Sequence, residues 1–354
     1  MSDASIESAR FVARRPGAEP DVAVSSIRRT DGGYPAEFGA LAPLIADPTV
    51  TDVFVNGRDG VWVDRGDGLA RALIQLDEVE LRELAVRLMS IGGRHIDEAT
   101  PAVDARLGGG IRVHAVLAPI SAIGTLLSVR LPRTEFPTLD SLDANGFFDL
   151  VPRDLIESLV ARRVNLLITG AGGSGKTTLL AALLARASPL ERIIAIEDVA
   201  ELRVQHPHFL ALEARQPNLE GAGALGLERL VREALRMRPD RLVLGECRGA
   251  EIRELLAALN TGHDGGAGTL HANSLADVPA RLEALGALAG MSAVAIARQT
   301  VSAIGAVVHV ERTPDGRRLA ATGAFMLDRH QRLGVDRLGV DRLAVDRRRR
   351  EGEA

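Results

Sequence analysis

Residues 164–180 read VNLLITGAGGSGKTTLL, and the fold prediction starts from these residues. An apolar run is followed by a glycine-rich segment and then by residues that favour a helix, so the pattern predicts a strand, a loop and a helix in that order. Glycine has no Cβ, which lets backbone N–H groups curl around an anion. A helix that begins near Lys176 would add unpaired N–H groups and the positive end of its dipole. The stretch therefore predicts an anion-binding loop.

The same loop fits the pattern G-x-x-x-x-G-K-[ST], which is typical of the phosphate-binding loops of nucleotide hydrolases. In that chemistry Lys176 reaches the β- and γ-phosphates, and the Thr177 hydroxyl is a ligand of Mg²⁺. We therefore expect a nucleoside triphosphate together with Mg²⁺. The predicted nucleotide-binding residues are Gly170, Ala171, Gly172, Gly173, Ser174, Gly175, Lys176, Thr177 and Thr178.

The use of lysine points to the same loop. The chain has 43 basic residues, and Lys176 is the only lysine among them. A compact ammonium group fits between phosphates, whereas a planar guanidinium group does not take that role. A glycine-rich turn that binds nothing is the alternative interpretation, and the agreement of the strand, loop and helix signals favours the phosphate loop.

The overall composition argues against several classes of protein. A formal net charge of −4 argues against a general affinity for nucleic acid. The single cysteine, Cys247, rules out an intrachain disulfide and a cysteine-rich zinc site. No apolar run approaches the ~18 residues of a membrane span, and the N-terminus lacks the apolar core of a signal peptide. We therefore expect a cytoplasmic protein, and a peripheral position at the inner membrane through partners stays open.

The first part of the chain predicts an arm and a small domain. Residues 1–36 are polar and interrupted by proline and glycine, so we expect a flexible arm. Residues 37–133 contain short alternating strands, a tight-turn signal at Asn56, and an amphipathic helix over 77–91. This combination predicts an α+β domain with an antiparallel sheet. Prolines within residues 132–137 mark a linker.

The second part predicts an α/β domain over residues 134–330. Strand and helix patterns alternate there, which implies βαβ units and a mainly parallel sheet. The predicted strands are 164–169, 192–197, 208–212 and 241–245, and the predicted helices are 152–161, 176–187, 226–237 and 249–260.

A five-residue repeat characterises the end of the chain, residues 331–354. Since a period of five fits neither a helix face nor a strand face, the repeat predicts a low-complexity, mostly disordered tail. The run Arg347–Arg350 leaves open a basic patch that contacts lipid.

Two predicted strands end in acidic residues. One reaches Glu197 and Asp198, and the other reaches Glu246. In an open α/β sheet, ligands bind at the carboxyl ends of the strands, so we expect Glu197 and Glu246 beside the phosphate loop. One acid can hold Mg²⁺ through water, and another can orient or deprotonate the attacking water. Glu246 and Glu197 are the candidate catalytic residues, and Glu246 is also the candidate for Mg²⁺. Solvated acids at strand ends are the alternative.

A glycine-rich segment, residues 261–274, carries His263 and His271. The pattern predicts a loop. Metal binding is one interpretation, but there is no cysteine partner and no familiar ligand spacing. An imidazole can instead donate a hydrogen bond to a phosphate oxygen, which favours a γ-phosphate sensor and makes His271 a candidate catalytic-site residue.

Four segments occur in an order that resembles the secretion ATPases, the superfamily of type II secretion, type IV pili and type IV secretion. They are a Walker A motif at 170–178, an Asp box at 196–202, a Walker B motif at 238–248 and a His box at 261–274. The resemblance covers about residues 40–325. It is closest to the Tad/CpaF pilus-assembly and VirB11-like branch, since the four-cysteine zinc module of many type II secretion ATPases is missing.

The resemblance implies a RecA-like ATPase domain, a homohexameric ring, ATP with Mg²⁺, and nucleotide between the two domains of a subunit. It also implies that Arg112 and Arg130 approach the phosphates from the N-terminal domain. Their positive charge would offset the negative charge on the phosphate oxygens during phosphoryl transfer. Surface arginines at strand edges are the alternative. A polytopic inner-membrane platform protein of a pilus or secretion system is the implied partner, and no direct nucleic-acid partner is expected.

Two other functions compete with a pilus-assembly or secretion motor. RecA-like rings also drive nucleic-acid motors, although the acidic net charge and the lack of an aromatic stacking platform disfavour them. A nucleotide-gated scaffold without turnover is disfavoured by the pair Glu197 and Glu246. Turnover stimulated by DNA would favour the first alternative, and ATP binding without phosphate release would favour the second.

Overall fold

Two β-sheets organise the protein. The computed structural model describes residues 34–66, 68–132, 136–215 and 223–338, and the strands of these residues form a six-stranded and an eight-stranded sheet. Helices pack against both sheets. The predicted α/β class is therefore confirmed.

The first sheet is antiparallel throughout. Its strands are β1 (Asp52–Asn56), β2 (Val61–Asp64), β3 (Leu69–Ala72), β4 (Ala102–Arg106), β5 (Arg112–Val116) and β6 (Leu126–Arg130). They lie in the order β3-β2-β1-β6-β5-β4. Alternate residues of β1, β2 and β5 are buried, as expected of a sheet with one covered face.

Helices contribute to the core beneath this sheet. They are a 3₁₀ helix (Tyr34–Leu41), α1 (Ala42–Ala46) and α2 (Glu78–Ile91). A capping box starts α2, because the Asp77 side chain accepts from the Glu80 N–H and the Glu80 side chain accepts from the Asp77 N–H. The buried face of α2 is the one that its spacing predicted, and it shares a core with Val53 and Val55 of β1.

The second sheet is parallel over most of its width. Its strands are β7 (Leu166–Gly170), β8 (Ile193–Glu197), β9 (Phe209–Glu213), β10 (Arg241–Cys247), β11 (Ala267–His271), β12 (Ala306–Thr313), β13 (Gly316–Leu327) and β14 (Leu333–Arg337). They lie in the order β14-β13-β12-β7-β11-β10-β8-β9. The strands from β12 to β9 pair in parallel, and β13 and β14 add an antiparallel edge.

Both faces of the second sheet are covered. The accompanying helices are α3 (Leu139–Asp143), α4 (Arg153–Ala161), α5 (Lys176–Leu184), α6 (Leu227–Leu235), α7 (Glu251–Leu259), α8 (Val278–Leu288) and α9 (Ala293–Ala303). Leu167 belongs to one hydrophobic core, whereas its neighbours Leu166 and Ile168 belong to the other. Burial on both sides explains why these strands are continuous apolar runs instead of alternating patterns.

Strand β11 of this sheet was not predicted. Residues 261–274 were interpreted as a loop, but β11 lies within them, between β7 and β10. Gly268 in β11 and Gly266 just before it allow close packing of a helix. A Cβ on Gly268 would lie 3.1 Å from Leu255 Cδ2, and one on Gly266 would lie 2.4 Å from Leu259 Cδ2. The two glycines therefore allow α7 to pack close to the sheet. The interpretation of this segment as a loop was wrong for residues 267–271.

The repeat in the tail also differs from its prediction. The first copy contains β14, which pairs with β13 from Leu333 to Arg337, so the prediction of disorder was wrong for these residues. Strand β14 covers the edge of the sheet that β13 would otherwise leave open. Its residue Leu333 is 7% exposed and belongs to the hydrophobic core. Residues 339–354, which include the last copy of the repeat and Arg347–Arg350, lie outside the described residues, as do residues 1–33 of the predicted arm.

No helix of the described residues is by itself long and apolar enough to cross a membrane. One pair of segments, Leu275–Leu288 and Ala293–Ala303, meets the length and composition criteria only when joined across a bend of 119°.

Candidate nucleotide-binding and catalytic site

The phosphate loop joins the end of β7 to the start of α5. Gly175 caps α5 with a φ of 101°, a left-handed conformation that favours glycine. Gly170 is constrained by a close approach, because a Cβ there would lie 2.3 Å from the Val310 carbonyl oxygen. The two glycines thus hold the loop close to β12 and bring the chain into α5, whose first N–H groups lack helical partners and favour an anion.

The groups inside the loop fit a phosphate. Among the described residues, Ser174 Oγ is buried and has no hydrogen-bond partner. Lys176 is 6% exposed, and its ammonium group donates to the carbonyl oxygens of Gly170 and Ala171, both at 3.0 Å. Burial lowers the pKa of Lys176, and nearby Glu246 opposes this shift. A bound phosphate would give the buried ammonium and hydroxyl groups anionic partners.

Lys176, Glu246 and His271 meet at one end of the sheet. His271 ends β11 and Glu246 lies near the end of β10, and β11 is the neighbour of both β7 and β10. His271 Nε2 lies 2.9 Å from Glu246 Oε1 and 3.4 Å from Lys176 Nζ. Of the two acids expected beside the phosphate loop, Glu197 and Glu246, it is Glu246 that joins this cluster, together with His271.

The protonation states in this cluster follow from its charges. Burial and the nearby Lys176 lower the pKa of His271, so the imidazole is neutral at neutral pH and its Nε2–H donates to Glu246. Burial alone would raise the pKa of Glu246, but the hydrogen bond from Arg248 and the positive charge nearby lower it overall. An ionised carboxylate therefore stands beside the phosphate loop, where it can bind water or a hydrated cation.

Arg248 joins the cluster, although the sequence analysis gave it no role. Its Nη2 lies 2.7 Å from Glu246 Oε2, and its Nη1 lies 3.8 Å from Asp198 Oδ2. The available signal was its position, two residues after Glu246 at the same strand end. Arg248 links the ends of β10 and β8 and occupies one oxygen of the candidate catalytic carboxylate.

Glu197 lies near this cluster but is engaged elsewhere. Its side chain is 4% exposed, and Oε1 accepts hydrogen bonds from the N–H groups of Glu201 and Leu202 at 2.9 and 3.0 Å. Burial raises its pKa to about 7, against the effect of these two hydrogen bonds. It also packs against β10, because a Cβ on Gly245 would lie 2.5 Å from its Cγ. In this geometry Glu197 orders the segment that follows β8.

Arg112 and Arg130 are directly opposite each other on β5 and β6. Arg112 forms an ion pair with Glu201, which belongs to the segment after β8, and Arg130 Nε lies 3.1 Å from Asp52 Oδ1. Both arginines line a cavity of about 530 Å³ that also contacts Asp198. The structure thus brings them to the edge of the second sheet, although no described contact joins them to residues 170–178.

Thr177 and Glu246 are the residues near the phosphate loop that were predicted to hold Mg²⁺. Within the described ranges, no cluster of three or more His, Cys, Asp or Glu side chains has the arrangement of a metal site. Thr177 lies half-buried at the first turn of α5, and Glu246 is the ionised carboxylate of the cluster. The side chains of Thr177 and Glu246 offer oxygen ligands, which Mg²⁺ prefers. Mg²⁺ commonly takes its remaining ligands from water and nucleotide phosphates.

The chain belongs to the type II/IV secretion system protein family, whose model matches residues 35–316. One relative is a Mycobacterium tuberculosis protein whose name provisionally assigns it to conjugal transfer. It is 49% identical over 290 residues, which cover 80% of this chain and 82% of that protein. The conjugal transfer protein TrbB of Rhizobium radiobacter is 30% identical over 79% of this chain and 84% of its own length. The resemblance to the secretion ATPases is therefore confirmed.

Two solved structures share the fold. The pilus retraction motor PilT, solved with bound ADP, aligns with a TM-score of 0.58 and 20% identity over 80% of each chain. The Legionella pneumophila ATPase DotB aligns with a TM-score of 0.56 and 22% identity, over 84% of this chain and 82% of its own. At this level of sequence identity, the structural similarity establishes a shared fold and nothing beyond it.

Proposed function

We propose that this protein is an ATPase that powers a pilus-assembly or secretion machine. The observation that carries the proposal is the cluster of Lys176, Glu246 and His271 at the mouth of a phosphate loop. Family membership supports an ATPase of a secretion or pilus machine. The names of the relatives, which refer to conjugal transfer, favour a secretion or conjugation apparatus as the setting.

The phosphate loop would bind the nucleotide, and its lysine would change partners. Lys176 now donates to two loop carbonyls, and a phosphate oxygen would replace them with a stronger, charge-assisted interaction. Ser174 Oγ would gain a hydrogen-bond partner. Mg²⁺, held by Thr177 and through water by Glu246, would supply charge neutralisation to the phosphates.

Glu246 is our first candidate for the group that orients the attacking water. It is ionised, and one of its two oxygens is held by Arg248 and the other by neutral His271. A positioned carboxylate of this kind acts as a general base or aligns the water for attack. His271 would report the γ-phosphate, since a shift of its imidazole toward a phosphate oxygen would change its hydrogen bond to Glu246. Glu197 is the second candidate for catalysis, because its pKa of about 7 suits proton transfer near neutral pH.

Conversion of hydrolysis into work would require the first sheet to move against the second. Arg112 reaches across to Glu201 by an ion pair, so we propose that nucleotide binding draws Arg112 and Arg130 from their carboxylate partners toward the phosphates. A closure of this kind places positive charge where phosphoryl transfer needs it. We also propose that the protein works as a homohexamer at the cytoplasmic face of the inner membrane, on a polytopic platform protein.

The test of the proposed activity is phosphate release by the purified full chain. ATP hydrolysis that depends on Mg²⁺ and is unaffected by DNA would support a secretion-type motor. Strong stimulation by single- or double-stranded DNA would instead favour a nucleic-acid motor. ATP binding without any phosphate release would show a nucleotide-gated scaffold, and the proposed catalytic role of Glu246 would then fail.

A further inference from the structure

The hairpin formed by β12 and β13 contacts the phosphate loop. Arg317, on β13, donates from Nε to the carbonyl oxygen of Gly173 at 2.9 Å. A Cβ on Gly175 would lie 3.2 Å from Arg317 Cδ, and one on Gly173 would lie 3.7 Å from Arg312 Nη1. Two arginines of the hairpin therefore cover the same part of the loop, on a segment that the sequence motifs do not include.

The base of this hairpin is anchored beside the loop. On β12, His309 is 2% exposed, and its Nδ1 lies 2.9 Å from Oγ1 of Thr169, the residue that precedes the loop. The next residue, Val310, places its carbonyl oxygen so close to Gly170 that a Cβ there could not fit. Since β12 also pairs with β7 in parallel, the hairpin and the loop are held in one register.

The charges on the two faces of the hairpin differ. Arg312 and Arg317 are directly opposite each other across the two strands, as are their neighbours Glu311 and Arg318. Glu311 and Arg318 form an ion pair at 3.3 Å on one face. On the other face the cross-strand pair consists of two positive charges, which together would attract an anionic ligand. In the part of the chain that the structure describes, no ion pair involves Arg312.

We propose that Arg312 and Arg317 form a second phosphate-contacting element, which we call the hairpin arginines. Arg317 positions the phosphate loop through Gly173, and the two guanidinium groups together contact the diphosphate of the nucleotide beside Gly173 and Gly175. Guanidinium groups suit this role, because their planar donors match phosphate oxygens. The inference rests on the proposed nucleotide site and extends it to residues outside the four family motifs.

The test compares nucleotide affinity in three variants of the full chain. Arg312→Ala and Arg317→Ala should each weaken ADP binding by roughly tenfold, as loss of one charge-assisted contact predicts. Arg318→Ala is the matched control, because it lies on the same strand and pairs with Glu311 on the opposite face, and its affinity should equal that of the wild type. Pyrophosphate, used as a competitor of ADP, should lose affinity in the same two variants.

A second measurement needs no nucleotide. Hydrogen exchange of the amides of residues 171–175 should be faster in Arg317→Ala than in the wild type and in Arg318→Ala, because the contact with Gly173 is gone. ADP affinities equal to the wild type in both hairpin variants would overturn the inference and leave the proposed function standing. A loss for ADP without a loss for pyrophosphate would overturn the diphosphate assignment. A wild-type protein that bound neither ligand would overturn the inference and the proposed function together.

Discussion

His271 Nε2 lies 2.9 Å from Glu246 Oε1, although the two residues come from different strands and from different predicted motifs. The contact exists because β10 and β11 are parallel neighbours, so that their carboxyl ends meet. Lys176 adds a positive charge 3.4 Å from the same imidazole nitrogen. Burial and the charge of Lys176 lower the pKa of His271, so the imidazole stays neutral between a carboxylate and an ammonium group. A displacement of the imidazole would therefore change its distances to both Glu246 and Lys176.

The first prediction concerns the candidate catalytic carboxylate. Glu246→Gln should reduce ATP turnover by about 10² to 10⁴-fold, since the amide keeps the size of the side chain but loses its charge and basicity. ATP binding should remain, because the phosphate loop is intact. Phosphate release and equilibrium binding of ATP measure the two effects. Glu283→Gln, on α8, is the control for a general effect of removing a carboxylate, and turnover of Glu246→Gln equal to that of this control would assign Glu246 a structural role.

The second prediction concerns the arginines of the first sheet. Arg112→Ala and Arg130→Ala should each lower turnover by roughly 10³-fold or more, as expected for arginines that act on the transition state. ATP affinity should change by less than about tenfold, because the loop still holds the phosphates. Arg71→Ala, on the edge strand β3, is the matched control. Turnover that remained normal in both variants would leave the arginines as partners of Glu201 and Asp52 and would contradict the closure proposal.

The third prediction concerns the stability of the fold at different pH values. Because burial raises the pKa of Glu197 to about 7, the folded state binds more protons than the unfolded state between roughly pH 4.5 and 7. This contribution of Glu197 to stability is therefore greatest in acid and is lost as the pH rises through 7. Glu197→Gln removes the titration, so the free energy of unfolding of the variant relative to wild type should rise by about 2 kcal/mol between pH 5 and pH 8.

Urea unfolding at both pH values measures this difference. Glu83→Gln, an exposed glutamate on α2, supplies the control. An unchanged difference between Glu197→Gln and wild type at pH 5 and pH 8 would contradict the raised pKa. It would also remove the argument for Glu197 as a group that transfers protons near neutral pH.

Local sequence signals were sufficient for the parts of the site that are close along the chain. The path from β7 through the loop to α5 follows from the apolar run, the glycines and Lys176. The rule that parallel strands carry their ligands at the carboxyl ends placed Glu246 beside that loop before the strand order was known. The buried face of α2 followed from its spacing in the same way.

Contacts between distant segments could not be predicted. Gly266 and Gly268 resembled loop glycines, because a sequence does not show whether a glycine serves a turn or a close approach of a helix to a sheet, as Gly268 of β11 does against Leu255. The same limit hid two further contacts. The pairing of Arg112 with Glu201 depends on how β4–β6 lie against the second sheet, and the contact of Arg317 with Gly173 depends on how the β12–β13 hairpin lies against the phosphate loop. Glu197 was correctly placed at a strand end, but its amide partners at 201 and 202 were not foreseeable from the motif.

The most direct measurement is phosphate release from ATP by the full chain and by its Lys176→Ala variant. Lys176 is the only lysine in the chain and lies within 3.4 Å of His271 in the catalytic cluster. We expect Mg²⁺-dependent hydrolysis by the wild type and none above background by the variant, with an unchanged circular dichroism spectrum. Equal hydrolysis by the variant, or no hydrolysis by a wild type that binds ATP, would contradict it.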